Sequence, residues 1–337
     1  MRHSTIATLL FAAAAPAASL ATTPPPAIAP TTAATAPTTA AGHPDFNFTG
    51  PLVTPSVNTM PAGMVNVEPY LIHSQTRALY DNAGHRHEMA SETSQWQVAV
   101  PVAVAISDAS LVQLTLNALR ATGQGMHTDG FRMADTSLRV QQRLLAPAAD
   151  GTGLVLAVSL SQRLSTGRYH QLNANPLNAT GNGTRRTSVA VGGQALQWLD
   201  HDRAVRWRGQ IAWSPAPGAV RVRNASVYGT ADGFAGYALA GQAWSASMAA
   251  EFALNPRWVL VGEAVWNRSG PLSLIDTRTG VDQTERRLAP GHDVSLAPAV
   301  EYHFSSRMGL IAGVQFTVAG RNNSDYVAPQ VALNMVF

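Results

Sequence analysis

The last eleven residues of the chain, 327–337, alternate between two kinds of side chain. One parity carries Val327, Pro329, Val331, Leu333, Met335 and Phe337, and the other carries Ala328, Gln330, Ala332, Asn334 and Val336. Because successive side chains of a strand point to opposite faces, the segment predicts a strand with one apolar face and one small or polar face. About ten alternating residues that end in an aromatic residue are typical of the closing strand of an outer-membrane β-barrel.

The composition agrees with a barrel and excludes several classes of protein. Hydrophobic residues make up 46% of the chain and charged residues only 13%, although the mean hydropathy is close to zero. Cysteine is absent, which excludes disulfides, thiolate zinc sites and cysteine nucleophiles. The net charge of +3 comes from scattered arginines without a basic run beside aromatic residues, so no nucleic-acid partner is predicted.

The N-terminal part predicts export followed by segments that build no domain of their own. Residues 1–21 have a short polar start, an apolar stretch and small residues at the end, as a secretory signal peptide does. Residues 22–45 are rich in Pro, Thr and Ala and predict a flexible periplasmic lead. Residues 46–63 are uncharged and predict either a periplasmic lead or a plug that folds into the lumen with Phe48 inside. Residues 64–337 are assigned to the barrel.

Alternation after Met64 predicts about twelve strands, with ten or fourteen as alternatives that depend on the long region 215–239. The predicted strands are 64–76, 94–107, 110–119, 131–145, 153–164, 184–199, 203–214, 240–254, 257–268, 293–304, 308–319 and 325–337. Links after even-numbered strands are short, and links after odd-numbered strands are long except for 320–324. Short periplasmic turns and long external loops predict an all-β fold, a transmembrane antiparallel up-and-down β-barrel with both termini in the periplasm.

Parity also separates the residues that face lipid from those that face the lumen. Aromatic residues near strand ends predict interfacial girdles on the outer surface: Trp96, Trp213, Trp258, Trp266, Tyr302, Phe304 and Phe337. Charged residues of inward parity are Glu68, Arg139, Arg143, Arg206, Arg208, Glu251, Glu263 and Glu301. They predict a belt of Glu and Arg across the periplasmic half of the lumen. This belt is either an ion-pair network that plugs and stiffens a narrow barrel or a constriction that selects solutes, and the two roles can coexist.

Both ends of the mature chain resemble a known family. Residues 48–56 (FTGPLVTPS), 60–71 (MPAGMVNVEPYL), 296–304 (LAPAVEYHF), 309–314 (GLIAGV) and 319–323 (AGRNN) are similar to the meta-pathway phenol-degradation family of outer-membrane transporters. The resemblance implies a β-barrel in the outer membrane and uptake of small, often aromatic or hydrophobic compounds. It implies no catalytic residues.

The sequence therefore predicts a monomeric outer-membrane channel for passive uptake of small organic molecules. Expected partners are outer-membrane lipid and lipopolysaccharide, small organic solutes and the barrel-assembly machinery, with no cofactor and no metal. Two alternatives stay open. One is a plugged structural or adhesive barrel, and the other is an outer-membrane lipid esterase in which His303 would be the first residue to test.

Overall fold

The computed structural model describes residues 46–123, 125–148, 151–172, 175–199, 203–278 and 283–337. The predicted signal peptide, 1–21, and the predicted flexible lead, 22–45, lie outside the described residues. No helix within the described ranges is long and apolar enough to cross a membrane.

The described residues are almost entirely β-structure, with one 3₁₀ turn at Pro176–Asn178. The strands are β1 (Val65–Val67), β2 (Tyr70–Tyr80), β3 (Arg86–Ser107), β4 (Ser110–Gly123), β5 (Met126–His127), β6 (Arg132–Met133), β7 (Thr136–Leu145), β8 (Gly153–Leu164), β9 (Arg186–Trp198), β10 (Ala204–Ser214), β11 (Val220–Arg223), β12 (Ala235–Ala240), β13 (Ala243–Ala253), β14 (Trp258–Ser269), β15 (Leu272–Asp276), β16 (Gln283–Leu288), β17 (Gly291–Leu296), β18 (Ala299–Ser305), β19 (Met308–Arg321) and β20 (Asn323–Val336).

Twelve strands close into an antiparallel barrel. Their order is β2, β3, β4, β7, β8, β9, β10, β13, β14, the interrupted strand β17–β18, β19 and β20. Closure comes from β20, which pairs with β19 on one side and with β2 on the other. Closure leaves no unpaired edge, which a lipid bilayer requires because it offers no hydrogen bonds to the backbone. The predicted fold class and strand count are confirmed.

The two faces of the barrel follow the alternation of the sequence. In β20, Ala328, Gln330 and Ala332 are buried against the interior, whereas Pro329 is exposed on the outside. Outward aromatic residues collect near the ends of the strands. At the end with short turns, the Tyr302 ring lies 4.7 Å from Trp258 and 5.1 Å from Phe304. At the other end, Trp213 and Trp244 lie 6.2 Å apart.

The structure differs from the predicted strands and links in three places. The link 77–93 is not a long loop, because β2 and β3 continue as a hairpin to a turn at 81–85. In that turn the His87 ring and the backbone N–H groups of His85 and Ala83 donate to Asp81, which lowers the pKa of its carboxyl well below its usual range. The strand predicted at 131–145 begins at Thr136, preceded by the short strand β6, which pairs with β4.

The third correction concerns the long external links 215–239 and 269–292. They contain a second sheet of four strands in the order β11-β12-β15-β16. Residues of this sheet and of neighbouring links form a separate hydrophobic cluster that includes Leu172, Val222, Phe234 and Leu274. The central pairing joins β12 to β15, which belong to different links. No local sequence pattern therefore predicts this sheet. The sheet and its hydrophobic cluster form a structured cap on the external side of the barrel.

Candidate functional site: a segment held inside the barrel

Residues 46–63, hereafter the luminal segment, run through the half of the barrel that has the short turns. Most of their side chains are buried, with Leu52 and Val53 only 1% and 3% exposed. These two residues belong to a cluster formed with inward side chains of several barrel strands, including Ile72, Val261 and Ile311. The segment therefore occupies space that would otherwise be lumen.

Two inward carboxylates hold the backbone of the luminal segment. Glu301 accepts hydrogen bonds from the N–H groups of Thr49 and Gly50 at 2.6 and 3.0 Å. Glu263 accepts from Val53 at 3.1 Å and from Thr54 at 2.7 Å. A carboxyl group has two oxygens, so one side chain can accept from two neighbouring N–H groups. In a sheet, the backbone of a neighbouring strand would accept these hydrogen bonds. Here the side chains of Glu263 and Glu301 accept them.

His303 extends the contact around Glu301. Its Nε2 lies 3.1 Å from Glu301 Oε2, and its Nδ1 lies 3.5 Å from Thr49 Oγ1. Threonine, histidine and glutamate in a row resemble the geometry of a nucleophile, a base and an orienting acid. However, Glu301 already accepts two backbone N–H groups of the luminal segment. The adjacent cavity, of about 10 Å³, has room for roughly one water molecule. The contacts are those of an anchor for the luminal segment.

A buried ion-pair cluster lies beside this anchor. Arg206 donates to both oxygens of Glu251, from Nε at 2.9 Å and from Nη2 at 2.7 Å, and Arg208 Nε donates at 2.6 Å. The Arg206 guanidinium also lies 4.0 Å above the centre of the Phe48 ring. Two arginines therefore neutralise Glu251, and one of them supports the aromatic start of the luminal segment through a cation–π contact.

The other end of the luminal segment is fixed to a different part of the wall. Gln141 Nε2 donates to the Asn58 carbonyl at 3.3 Å. Asp108, in the turn between β3 and β4, accepts from the Ala62 N–H at 2.8 Å. A Cβ added to Gly192 would lie 2.5 Å from Val57 Cγ1, so this glycine forms a notch for Val57. The segment is thus anchored on both sides of the barrel.

The structure brings part of the predicted belt together. Arg206, Arg208, Glu251 and Glu301 meet on one wall, and Glu263 reaches the same luminal segment. Glu68 is buried at the break between β1 and β2. Arg139 and Arg143 lie on β7, away from this cluster, and Arg139 donates to Gln141. A role for the belt in solute selection stays a prediction.

Sequence reasoning missed several residues that shape this site. Gly192 and Gly309 make room for the luminal segment, since a Cβ on Gly309 would lie 2.2 Å from Thr49 Oγ1. A glycine at an inward strand position often marks the close approach of another backbone, and this signal could have identified both. Asp108 gave no such signal, because acids are ordinary in turns.

The outer half of the barrel is lined differently. Buried inward side chains there are mainly polar, among them Gln97, Asn117 and Gln315.

On the cap side lies a cavity of about 200 Å³. Its walls are Asp129, Arg132, Met133, Thr166, Arg168, Asn178 and Thr180. Thr166 also donates to Thr136 Oγ1 at 3.1 Å. Thr136 lies at the start of β7 on the same parity as the outward Leu138 and Val140, so this contact joins the cavity wall to the outer rim of the barrel.

The sequence matches no family model and no curated protein. Among solved structures, the COG4313 outer membrane channel from Pseudomonas putida F1 has a TM-score of 0.61 at 15% identity, over 83% of this chain and 98% of that one. The translocator domain of the autotransporter NalP from Neisseria meningitidis has a TM-score of 0.40 at 13% identity, over 83% and 90%. Only the first TM-score is high enough to support an argument. At 15% sequence identity, this similarity shows the fold alone.

The chain is an outer-membrane β-barrel. Its apolar exterior, aromatic girdles and closed sheet place it in the outer membrane of a bacterium, as predicted. Membership of the phenol-degradation family stays a prediction, because no sequence match supports it.

Proposed function

We propose that the protein is a passive channel for small organic solutes and that the luminal segment is its gate. The observation that carries this proposal is the way the segment is held. Its backbone hydrogen-bonds to the side chains of Glu263 and Glu301, whereas barrel strands bond to one another along their whole length. Side-chain anchors can release the segment without opening the barrel wall.

The outer cavity supports small solutes as the substrate class. A volume of about 200 Å³ is below the range of roughly 300–1,000 Å³ typical of sites for drug-sized ligands. It suits a molecule built on a single ring. Arg168 and the pair of Arg132 with Asp129, 3.6 Å apart, give the wall polar groups of both charges, which favours solutes that carry a polar substituent. The similar P. putida structure is described as a channel, which agrees with this proposal.

Solute-specific swelling of liposomes tests the proposal directly. Refolded protein would be compared with empty liposomes in sugars, organic anions and small aromatic compounds. We expect swelling that differs between solutes and that increases when Glu263 and Glu301 are both replaced by Gln, because weaker anchors free the segment more often. An Arg77→Gln variant, changed at an exposed position, is the matched control and should behave as the parent protein does.

A plugged structural barrel is the second candidate, and the filled lumen favours it. Leu52, Val53 and Val57 are almost fully buried inside the barrel, so the resting state offers little free passage through this half. If no solute enters liposomes that carry either the parent protein or the doubly substituted variant, the channel proposal fails. The structural role would then be preferred.

A further inference from the structure

A row of polar and aromatic side chains crosses the outward face of three neighbouring strands. In the strand register, His73 of β2 pairs with Trp96 of β3, and Trp96 pairs with Arg120 of β4. The His73 and Trp96 rings lie 4.4 Å apart. Trp96 and Arg120 are both exposed on the face that also carries Leu114 and Leu116. We refer to His73, Trp96 and Arg120 as the first row.

A second row has the same residue types and one further tryptophan. Trp213 of β10 pairs with Trp244 of β13, Trp244 pairs with Arg268 of β14, and Arg268 pairs with His292 of β17. Trp244 and Arg268 are exposed and share the outward face with Leu260. In the order of strands around the barrel, the second row lies about opposite the first.

Both rows lie at the same height on the barrel. Trp96 and Arg120 lie twelve and eleven residues along their strands from the short turn at 108–109, and Trp244 and Arg268 lie ten and eleven from the turn at 254–257. With a rise of ~3.4 Å per residue and a tilt of ~45°, ten to twelve residues span roughly 24–29 Å of membrane. This is the height of the apolar band of an outer-membrane barrel. The rows therefore lie at the external interface.

An arginine at this level faces a particular chemistry. An outward Arg is destabilising at the bilayer midplane, whereas near the interface the cost is small. The outer leaflet of the bacterial outer membrane is built of lipopolysaccharide, whose lipid A carries phosphates at the interface. A guanidinium binds phosphate through parallel hydrogen bonds, and a neighbouring tryptophan positions the side chain beside the acyl chains.

We propose that the two rows are binding sites for the phosphates of lipid A, with Arg120 and Arg268 as the phosphate ligands. Each tryptophan lies against the acyl region, and each histidine contributes a further polar group at the same level. The two sites hold lipid on opposite sides of one barrel and are independent of transport through the lumen.

Native mass spectrometry of the full folded protein with added hexa-acylated lipid A tests this proposal. Loss of each charge, in Arg120→Gln and Arg268→Gln, should weaken binding by roughly fivefold, since one Arg near an anionic surface is worth ~1 kcal/mol. The double Lys variant keeps both charges and should retain most of the binding. Folding of every variant is checked by its heat-dependent shift on a gel.

Two comparisons make the test decisive. Arg257→Gln with Arg307→Gln removes the same charge from exposed turns at the periplasmic end, and it should leave lipid A binding unchanged. Lipid A stripped of both phosphates should bind the parent protein as weakly as intact lipid A binds the double Gln variant. Unchanged binding in the double Gln variant, an equal loss in the periplasmic control, or full binding of the stripped lipid would each overturn the proposal.

Discussion

Glu263 shows how one residue connects the barrel to its contents. An inward carboxylate in a water-filled pore would be hydrated, but here it accepts the N–H groups of Val53 and Thr54. Glu263→Leu should leave those two donors buried without an acceptor, at a cost of about 1–3 kcal/mol for each. Glu263→Gln keeps one acceptor oxygen and should cost less.

Cleavage by chymotrypsin measures how firmly the luminal segment is held in these two Glu263 variants. The protease cuts after aromatic residues, and Phe46 and Phe48 lie in the segment. We expect cleavage there to be fastest in the Leu variant, intermediate in the Gln variant and slowest in the parent protein. Glu88→Gln changes an exposed acid in the β2–β3 hairpin and should leave the rate unaltered. Equal cleavage of all four proteins would show that Glu263 does not hold the segment.

Two adjacent glycines provide a matched steric test. A Cβ at Gly192 would lie 2.5 Å from Val57, whereas the nearest contact of a Cβ at Gly193 would be Leu156 at an ordinary 3.5 Å. Gly192→Ala should therefore displace the luminal segment, at a cost of about 1–3 kcal/mol typical of overpacking, and Gly193→Ala should not. The denaturant midpoint measured by tryptophan fluorescence reports the difference. Similar midpoints for both variants would mean that the notch accommodates Val57 loosely.

At the scale of elements, the luminal segment can be locked by a crosslink, because the chain has no cysteine of its own. Val57→Cys with Gly192→Cys places two thiols where Val57 Cγ1 and a new Cβ lie within bonding reach. If the segment must move for solutes to pass, the oxidised pair should abolish liposome swelling and a reductant should restore it. Val57→Cys alone is the control, because Gly192→Cys alone would press on Val57 as Gly192→Ala does. If mass spectrometry verifies the crosslink and oxidation leaves swelling unchanged, solutes pass without movement of the segment.

The barrel strands could be predicted from sequence because each one carries its own evidence. Alternation in β3, β10 and β20 is local, and a strand that faces lipid on one side must show it along its whole length. The cap could not be predicted in this way. Pairing of β12 with β15 joins distant links, and its short strands rest on a small core of their own. The luminal segment was recognised as uncharged, but its partners are barrel side chains that only the folded barrel brings together.

For the whole molecule, the distance between its two aromatic girdles defines the bilayer it fits. Trp258, Tyr302 and Phe304 mark one girdle, and Trp213 with Trp244 marks the other. About ten tilted residues between them correspond to roughly 24 Å of hydrocarbon, less than the ~30 Å of a typical bilayer. A barrel cannot shorten its strands, so a thicker bilayer must thin around it at a cost of a fraction of a kcal/mol per Å.

We therefore expect the folded barrel to be most stable in thin bilayers. Urea midpoints measured in phosphatidylcholines of increasing chain length should pass through a maximum near a hydrocarbon thickness of about 24 Å and fall on either side. Trp258→Ala removes one anchor of the periplasmic girdle and should flatten this maximum, whereas Trp207→Ala, an exposed aromatic that belongs to neither girdle, should lower stability without moving it. A midpoint that rises steadily with thickness would contradict the girdle assignment, because the apolar band would then be taller than its aromatic borders indicate.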